Sequence, residues 1–170
     1  TKHAPLEVLL TIDEEAGMTG AFGLQAGRLD AEILINTDSE QEGEIYIGCA
    51  GGVDAQITLP MVWQASEQSY SAFSLLLSGL KGGHSGVNIH LGRGNANKLL
   101  ARFLFENADD LALELTQFSG GSLRNAIPRE ANISFMLPEE NVSALNEKVA
   151  EFEALIRTEL AIADPDMRLV

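Results

Sequence analysis

The sequence has little of what marks several large protein classes. Its single cysteine, Cys49, cannot form a disulfide within the chain, which excludes a disulfide-stabilised scaffold. Basic residues are also scarce: 11 lysines and arginines stand against 25 acidic residues, for a net charge of −14. A chain with this much negative charge repels phosphate backbones and anionic lipids. We therefore expect neither nucleic acid nor a membrane as a partner.

Long hydrophobic runs are absent as well. Runs such as residues 73–77 fall far short of the roughly 20 residues that cross a bilayer, and no positively charged start precedes an apolar segment. With 45% hydrophobic residues and five prolines, the composition is that of a folded soluble protein. We expect a cytoplasmic protein in which Cys49 is a small buried side chain without chemistry.

Both ends of the chain predict a segment of a longer polypeptide. Thr1 stands where an initiator methionine would, and a strand pattern begins within six residues. The chain stops at Leu169 and Val170 without a polar tail.

The first 51 residues predict part of a parallel α/β domain. Residues 6–12 and 31–36 are nearly continuous apolar runs, typical of strands covered on both faces. The connection between them, about 18 residues long, can hold the helical crossover that parallel strands require. We place a domain boundary near the glycine pair Gly51-Gly52.

Residues 52–170 predict an α+β module. Strands are expected where apolar and polar residues alternate, and helices where apolar residues recur at helical spacing, with Asn95 as an N-cap. The predicted order is β, β, α, β, β, α, at residues 53–63, 70–80, 95–107, 112–118, 132–137 and 142–160.

Acidic residues follow both predicted strands of the first domain. Asp13, Glu14 and Glu15 come after the first strand and Asp38 after the second. Ligands of open α/β sheets bind beyond the carboxyl ends of the strands, where one carboxylate can bind a metal while another addresses a metal-activated water. The alternative is a solvated acidic loop before a helix N-terminus.

Four strings indicate a family resemblance: LLTIDEEAGMTGA (9–21), INTDSEQEGEIYIGCAGG (35–52), GLKGGHSGVNIHLGRGNANK (79–98) and GGSLRNAIPREA (120–131). In this order they resemble a family of co-catalytic zinc peptidases that includes carboxypeptidase G, aminoacylases, peptidase T and the aminoacyl-histidine (Xaa-His, or cytosol non-specific) dipeptidases. The third string and the sequence NTDSE (residues 36–40) are most similar to the last group. The resemblance implies that residues 1–51 belong to the catalytic domain and 52–170 to a ferredoxin-like lid and dimerisation domain.

The resemblance also implies a role for individual residues. Glu14 would be the general base, while Glu15 and Asp38 would be ligands of two different metal ions, with Asp13 structural. The bridging aspartate and the two histidines that complete such sites are not in this chain. His3 and His90 are interpreted as surface or structural histidines, so the segment alone should be inactive.

Two residues of the predicted lid are further candidates. His84 has glycines on both sides in GGHSG, where an exposed imidazole could donate a hydrogen bond to a developing oxyanion. A histidine in a flexible loop is the alternative. The resemblance implies that this histidine steadies the tetrahedral intermediate, in several members from the neighbouring subunit. Asn125 would contact the substrate, with a turn asparagine before a proline as its alternative.

The function expected of the full protein is hydrolysis of dipeptides, Xaa-His or broader, by a metal-activated water in a homodimer. Two divalent ions are expected, zinc first, with manganese or cobalt also suited to a carboxylate-rich site. Two alternatives stay open: a deacylase of N-acyl amino acids, and, for this segment as such, a non-catalytic dimerisation module.

Overall fold

A computed structural model describes residues 2–38, 41–49, 51–65 and 69–170 of the chain. The chain forms two compact units, Thr1–Leu59 and Pro60–Val170. Within the described ranges, no helix is both long enough and apolar enough to cross a membrane.

The first unit contains one short helix, α1 at Thr19–Phe22, and long extended segments. The strands predicted at residues 6–12, 31–36 and 53–63 are wrong for this structure, because none of these segments joins a sheet in the described part of the chain. Their apolar side chains are exposed, and so is Cys49, which was expected to be buried. A strand covered on both faces requires neighbouring strands and helices on both sides. The four-residue α1 cannot supply that cover.

The beginnings of two of these extended segments nevertheless lie together. The Oε2 atom of Glu7 accepts hydrogen bonds from the backbone N–H groups of Asp30, at 2.9 Å, and Ala31, at 2.7 Å. Residues 6–12 and 31–36 therefore start close to each other, as neighbouring parallel strands would. The assignment of residues 1–51 to a catalytic domain and of residues 52–170 to a lid domain, divided near Gly51-Gly52, stays a prediction.

The second unit is built on two antiparallel sheets. Their strands are β1 (Tyr70–Ser78), β2 (Gly83–His84), β3 (Glu114–Gly120), β4 (Ala126–Ile127), β5 (Ala131–Pro138) and β6 (Arg168–Leu169). The main sheet has four strands in the order β3-β5-β1-β6, and the second sheet pairs β2 with β4. Leu77 pairs with Ala131 on one side and with Leu169 on the other, which places β1 inside the sheet.

Two helices cover one face of this sheet: α2 at Ala96–Asn107 and α3 at Val142–Glu159. The Asn95 side chain accepts a hydrogen bond from the Lys98 N–H at 3.1 Å, which confirms the predicted N-cap of α2. The core lies between sheet and helices, where Phe103 of α2 meets Phe152 of α3 edge to face at 5.4 Å between ring centroids.

The main sheet and its helices follow the order βαββαβ, with the strand arrangement of a ferredoxin-like fold. The expected mixed α+β fold is therefore confirmed for this unit. The predicted element order is wrong at both ends and omits the two-residue strands β2 and β4 between them. Residues 53–63 form no strand, and the closing strand β6 was missed because it is only two residues long.

Candidate functional site

The acidic loop at Asp13 is closed by the aspartate itself. Asp13 has a left-handed backbone (φ 58°), its carbonyl accepts the Met18 N–H at 2.6 Å, and its Oδ2 accepts the Thr19 hydroxyl at 2.5 Å. Position 20 in the same loop requires a glycine, because a Cβ there would lie 2.6 Å from the backbone nitrogen of Ile12. The Asp13 carboxylate is therefore occupied within the loop, in accord with the structural role expected of it.

Glu14 and Glu15 differ from Asp13 in having open carboxylates. Both residues are exposed, and neither carboxylate accepts a hydrogen bond from the described part of the chain. Each is therefore free to bind an ion or a water. The roles of base and metal ligand remain predictions.

Asp38 is likewise exposed, and its backbone N–H donates to Oδ1 of Asn36 at 2.9 Å. Carboxylates such as those of Asp38 and Glu15 are suitable oxygen ligands for a divalent ion. However, the described residues contain no group of three or more histidine, cysteine or acidic side chains that could hold one. Among the residues that the structure describes, these carboxylates thus offer at most part of a metal site.

His84 lies in β2, and its ring is oriented by the loop that follows. Its Nδ1 accepts hydrogen bonds from two backbone N–H groups, those of Gly86 at 3.0 Å and Val87 at 3.2 Å. A neutral imidazole whose Nδ1 is an acceptor carries its proton on Nε2. Because His84 is exposed, this Nε2–H is a donor available to another molecule.

The loop around His84 is held by side chains as well as by backbone. Oδ1 of Asn88 accepts the His84 N–H at 2.9 Å, and the Asn88 N–H donates to the His84 carbonyl at 2.9 Å. Arg93 Nη1 donates to the Gly82 carbonyl at 2.6 Å. Gly83, with φ 136°, leaves no room for a side chain, because a Cβ would lie 2.5 Å from that Nη1. His84 is therefore not in a loose glycine loop.

The structure brings His84 and Asn125 together. His84 pairs with Ala126 in the β2–β4 ladder, and the Ser85 N–H donates to the Asn125 carbonyl at 2.8 Å. Asn125 is exposed. Two candidates that are far apart in the sequence thus occupy one surface of the second unit, as a shared role requires.

Two open clefts of about 700 and 480 Å³ lie along β4 and the loop before it. They share the lining residues Gly120, Gly121, Ser122, Ala126, Ile127 and Pro128. Asn97 lines the smaller cleft, and its Oδ1 is a buried atom without a hydrogen-bond partner among the described residues. Neither His84 nor Asn125 lines either cleft, although residues next to both do.

Sequence reasoning missed Asp164. It is buried, with 2% of its surface exposed, and its carboxylate accepts backbone N–H groups from Lys81 at 2.7 Å and Gly94 at 2.6 Å. The local sequence Ala-Asp-Pro-Asp has the composition of an exposed turn. Its two partners lie 83 and 70 residues away, so no local signal could have identified it.

Comparison with known proteins decides the family. The model of the family described as "peptidase dimerisation domain" matches residues 76–164, more than half of the chain. The chain belongs to the peptidase dimerisation domain family. The matched residues of this domain include His84, Asn125 and Asp164, and they exclude Glu14, Glu15 and Asp38.

Relatives extend the similarity beyond the dimerisation domain. The chain is 53% identical over 168 residues to the cytosol non-specific dipeptidase of Escherichia coli (strain K12), covering 99% of this chain and 35% of that protein. It also resembles the crystal structure of aminoacylhistidine dipeptidase from Vibrio alginolyticus, with a TM-score of 0.75 and 52% identity over 94% of this chain and 33% of that one. The resemblance predicted from the four strings is confirmed. The chain spans about a third of the length of these relatives.

Proposed function

We propose that this chain is part of a metal-dependent dipeptidase of the cytoplasm that hydrolyses Xaa-His or a broader set of dipeptides. The observation that carries the proposal is the 53% identity over 168 residues to a protein named cytosol non-specific dipeptidase. That similarity covers 99% of the chain, so it includes the acidic loop as well as the dimerisation domain.

In this proposal Glu15 and Asp38 hold two divalent ions, one each, with the remaining ligands supplied by other parts of the longer protein. Their exposed carboxylates suit zinc, and also manganese or cobalt. Such ions, when bound, polarise the scissile carbonyl and lower the pKa of the attacking water.

Glu14 is the proposed general base. Its carboxylate accepts no hydrogen bond from the described residues, so it can take a proton from the attacking water. The same carboxyl group then delivers that proton to the leaving amine nitrogen. The two adjacent glutamates thus have different proposed tasks: Glu14 transfers the proton and Glu15 binds a metal ion.

His84 is the proposed oxyanion donor, and Asn125 a substrate contact beside it. The two backbone N–H groups at Nδ1 keep the proton of the imidazole on Nε2, which can donate to the carbonyl oxygen as negative charge develops there. The exposed Asn125 amide has both a donor and an acceptor for the peptide.

For residues 76–164 we propose that they join two copies of the protein, as the family description implies. The 170-residue chain alone then acts as a non-catalytic dimerisation module, because its described residues offer no complete set of metal ligands. Sedimentation of this chain, with bound metal measured after incubation with zinc and removal of the free ion, tests this proposal. A dimer without bound metal supports it, whereas a monomer that binds metal contradicts it.

The dipeptidase proposal is tested by assaying the full-length protein, loaded in turn with zinc, manganese and cobalt. Hydrolysis of an Xaa-His dipeptide, lost on chelation and restored by the ion, is the expected result. N-acyl amino acids serve as the contrasting substrates. Turnover of these compounds without turnover of dipeptides would replace the dipeptidase by a deacylase.

A further inference from the structure

One buried carboxylate holds both ends of the loop that contains His84. Oδ1 of Asp164 accepts the N–H of Lys81, and Oδ2 accepts the N–H of Gly94. Residues 81–94, with His84 among them, therefore begin and end on the same side chain. Both hydrogen bonds are short, at 2.7 Å from Lys81 and 2.6 Å from Gly94.

Asp164 is itself fixed just beyond the end of α3. Its N–H donates to the Leu160 carbonyl at 2.8 Å, and its own carbonyl accepts the Met167 N–H at 3.2 Å. Gly94 lies against the core, because a Cβ there would lie 2.9 Å from Leu160 Cδ1 and 3.1 Å from Leu80 Cδ2. The clamp thus ties the loop to the hydrophobic core.

Within the loop, further hydrogen bonds connect the clamped ends to the imidazole. Arg93, next to Gly94, donates to the Gly82 carbonyl and so draws the two arms of the loop together. Asn88 bonds both the N–H and the carbonyl of His84. Movement at either end of the loop would therefore be transmitted to the ring.

A carboxylate buried among apolar side chains costs stability unless hydrogen bonds offset its loss of water. Here both carboxylate oxygens of Asp164 accept hydrogen bonds from backbone N–H groups of a single loop. We propose that Asp164 is a positioning residue: by clamping both ends of residues 81–94 it fixes the Nε2–H of His84 in the direction needed for the substrate carbonyl oxygen. This inference rests on the proposed role of His84.

The first test is Asp164→Asn in the full-length, metal-loaded enzyme. Asparagine keeps the size of the side chain, but its NH₂ group faces a backbone N–H and cannot accept its hydrogen bond. We expect kcat to fall about 10- to 100-fold, as for a small misplacement of a catalytic group, with KM changed less than about twofold. Asp166→Asn, which removes the same charge from an exposed neighbour, should leave both constants unchanged.

A double-mutant cycle separates positioning from general damage. If Asp164 acts through His84, Asp164→Asn should lower kcat less than about threefold in a His84→Ala background. An equal loss in both backgrounds overturns the inference. If His84→Ala itself leaves kcat unchanged, the proposed role of His84 fails. If His84→Ala lowers kcat and Asp164→Asn does not, only the clamp fails.

A measurement on the unmodified enzyme covers the case in which Asp164→Asn does not fold. Backbone amides bonded to a buried carboxylate exchange slowly with solvent, whereas exposed loop amides exchange fast. We expect the amides of Lys81 and Gly94 to be protected about as well as those of α2. Exchange of these two amides at the rate of Gly92, in the same loop, would overturn the clamp.

Discussion

His84 and Gly86 constrain each other. The Gly86 N–H donates to Nδ1 of His84 at 3.0 Å, and a Cβ on Gly86 would lie only 3.2 Å from the same atom. The ring thus rests directly on a backbone that has no side chain, which fixes both its tautomer and its position.

Gly86→Ala should therefore impair catalysis without unfolding the protein. The added methyl group displaces the imidazole by a few tenths of an ångström, and we expect kcat to fall about 3- to 10-fold, since a displacement of about 1 Å can cost about 100-fold. The matched control is Gly52→Ala, because a Cβ at Gly52 meets nothing within 4 Å. Steady-state kinetics of both variants in the full-length protein provide the check; equal activities would contradict the constraint.

His84→Ala tests the oxyanion donor directly. Removal of one such donor costs about 100- to 1,000-fold in kcat, with a smaller effect on KM. His90→Ala is the control, because His90 is an exposed histidine of the same loop with no proposed role. A kcat within about twofold of the parent enzyme would remove His84 from the mechanism.

Mixing His84→Ala with Glu14→Ala protein tests whether one site uses residues of two subunits. If His84 acts on the partner subunit's site, exchange of subunits creates dimers with one intact site, and activity returns. If activity does not return after verified subunit exchange, the imidazole acts within its own subunit. The readout is turnover measured over the time of exchange.

Phe103 and Phe105 offer a matched pair for the core of the second unit. Phe103 is fully buried against Phe152, whereas Phe105 on the same helix is 93% exposed. Phe103→Ala should cost about 3–5 kcal/mol of unfolding free energy, and Phe105→Ala under about 0.5 kcal/mol. Denaturant unfolding of the 170-residue chain measures both, and similar costs would contradict the packing of α2 on α3.

Much of the second unit could be predicted from sequence because its signals are local. Helical spacing of leucines and phenylalanines after Asn95 predicted α2, and the segment 132–137 was a strand candidate where β5 forms. The strand β6 could not be predicted in this way, since its two residues are fixed by pairing with β1. Alternation at residues 53–63 predicted a strand wrongly, because alternation shows that a segment suits a sheet and not that a partner strand is present.

The candidate site was likewise predictable only where the signal is local in the sequence. The motif strings singled out His84 and Asn125, yet the pairing of β2 with β4 that brings these residues together comes from the fold. The tautomer of His84 depends on the path of the backbone at Gly86 and Val87, which no residue pattern specifies. The burial of Asp164 depends on partners distant in the chain, so its role could be inferred only from the structure.

The most direct test of the central claim compares Glu14→Ala and Glu15→Ala in the full-length protein, with Glu32→Ala as an exposed acidic control. Turnover of an Xaa-His dipeptide and bound metal are measured on the same samples. We predict that Glu14→Ala loses at least about 100-fold in kcat while keeping its metal, because a general base contributes about that much. Glu15→Ala should lose metal. Full metal in the Glu15 variant together with metal loss in the Glu14 variant would contradict the account.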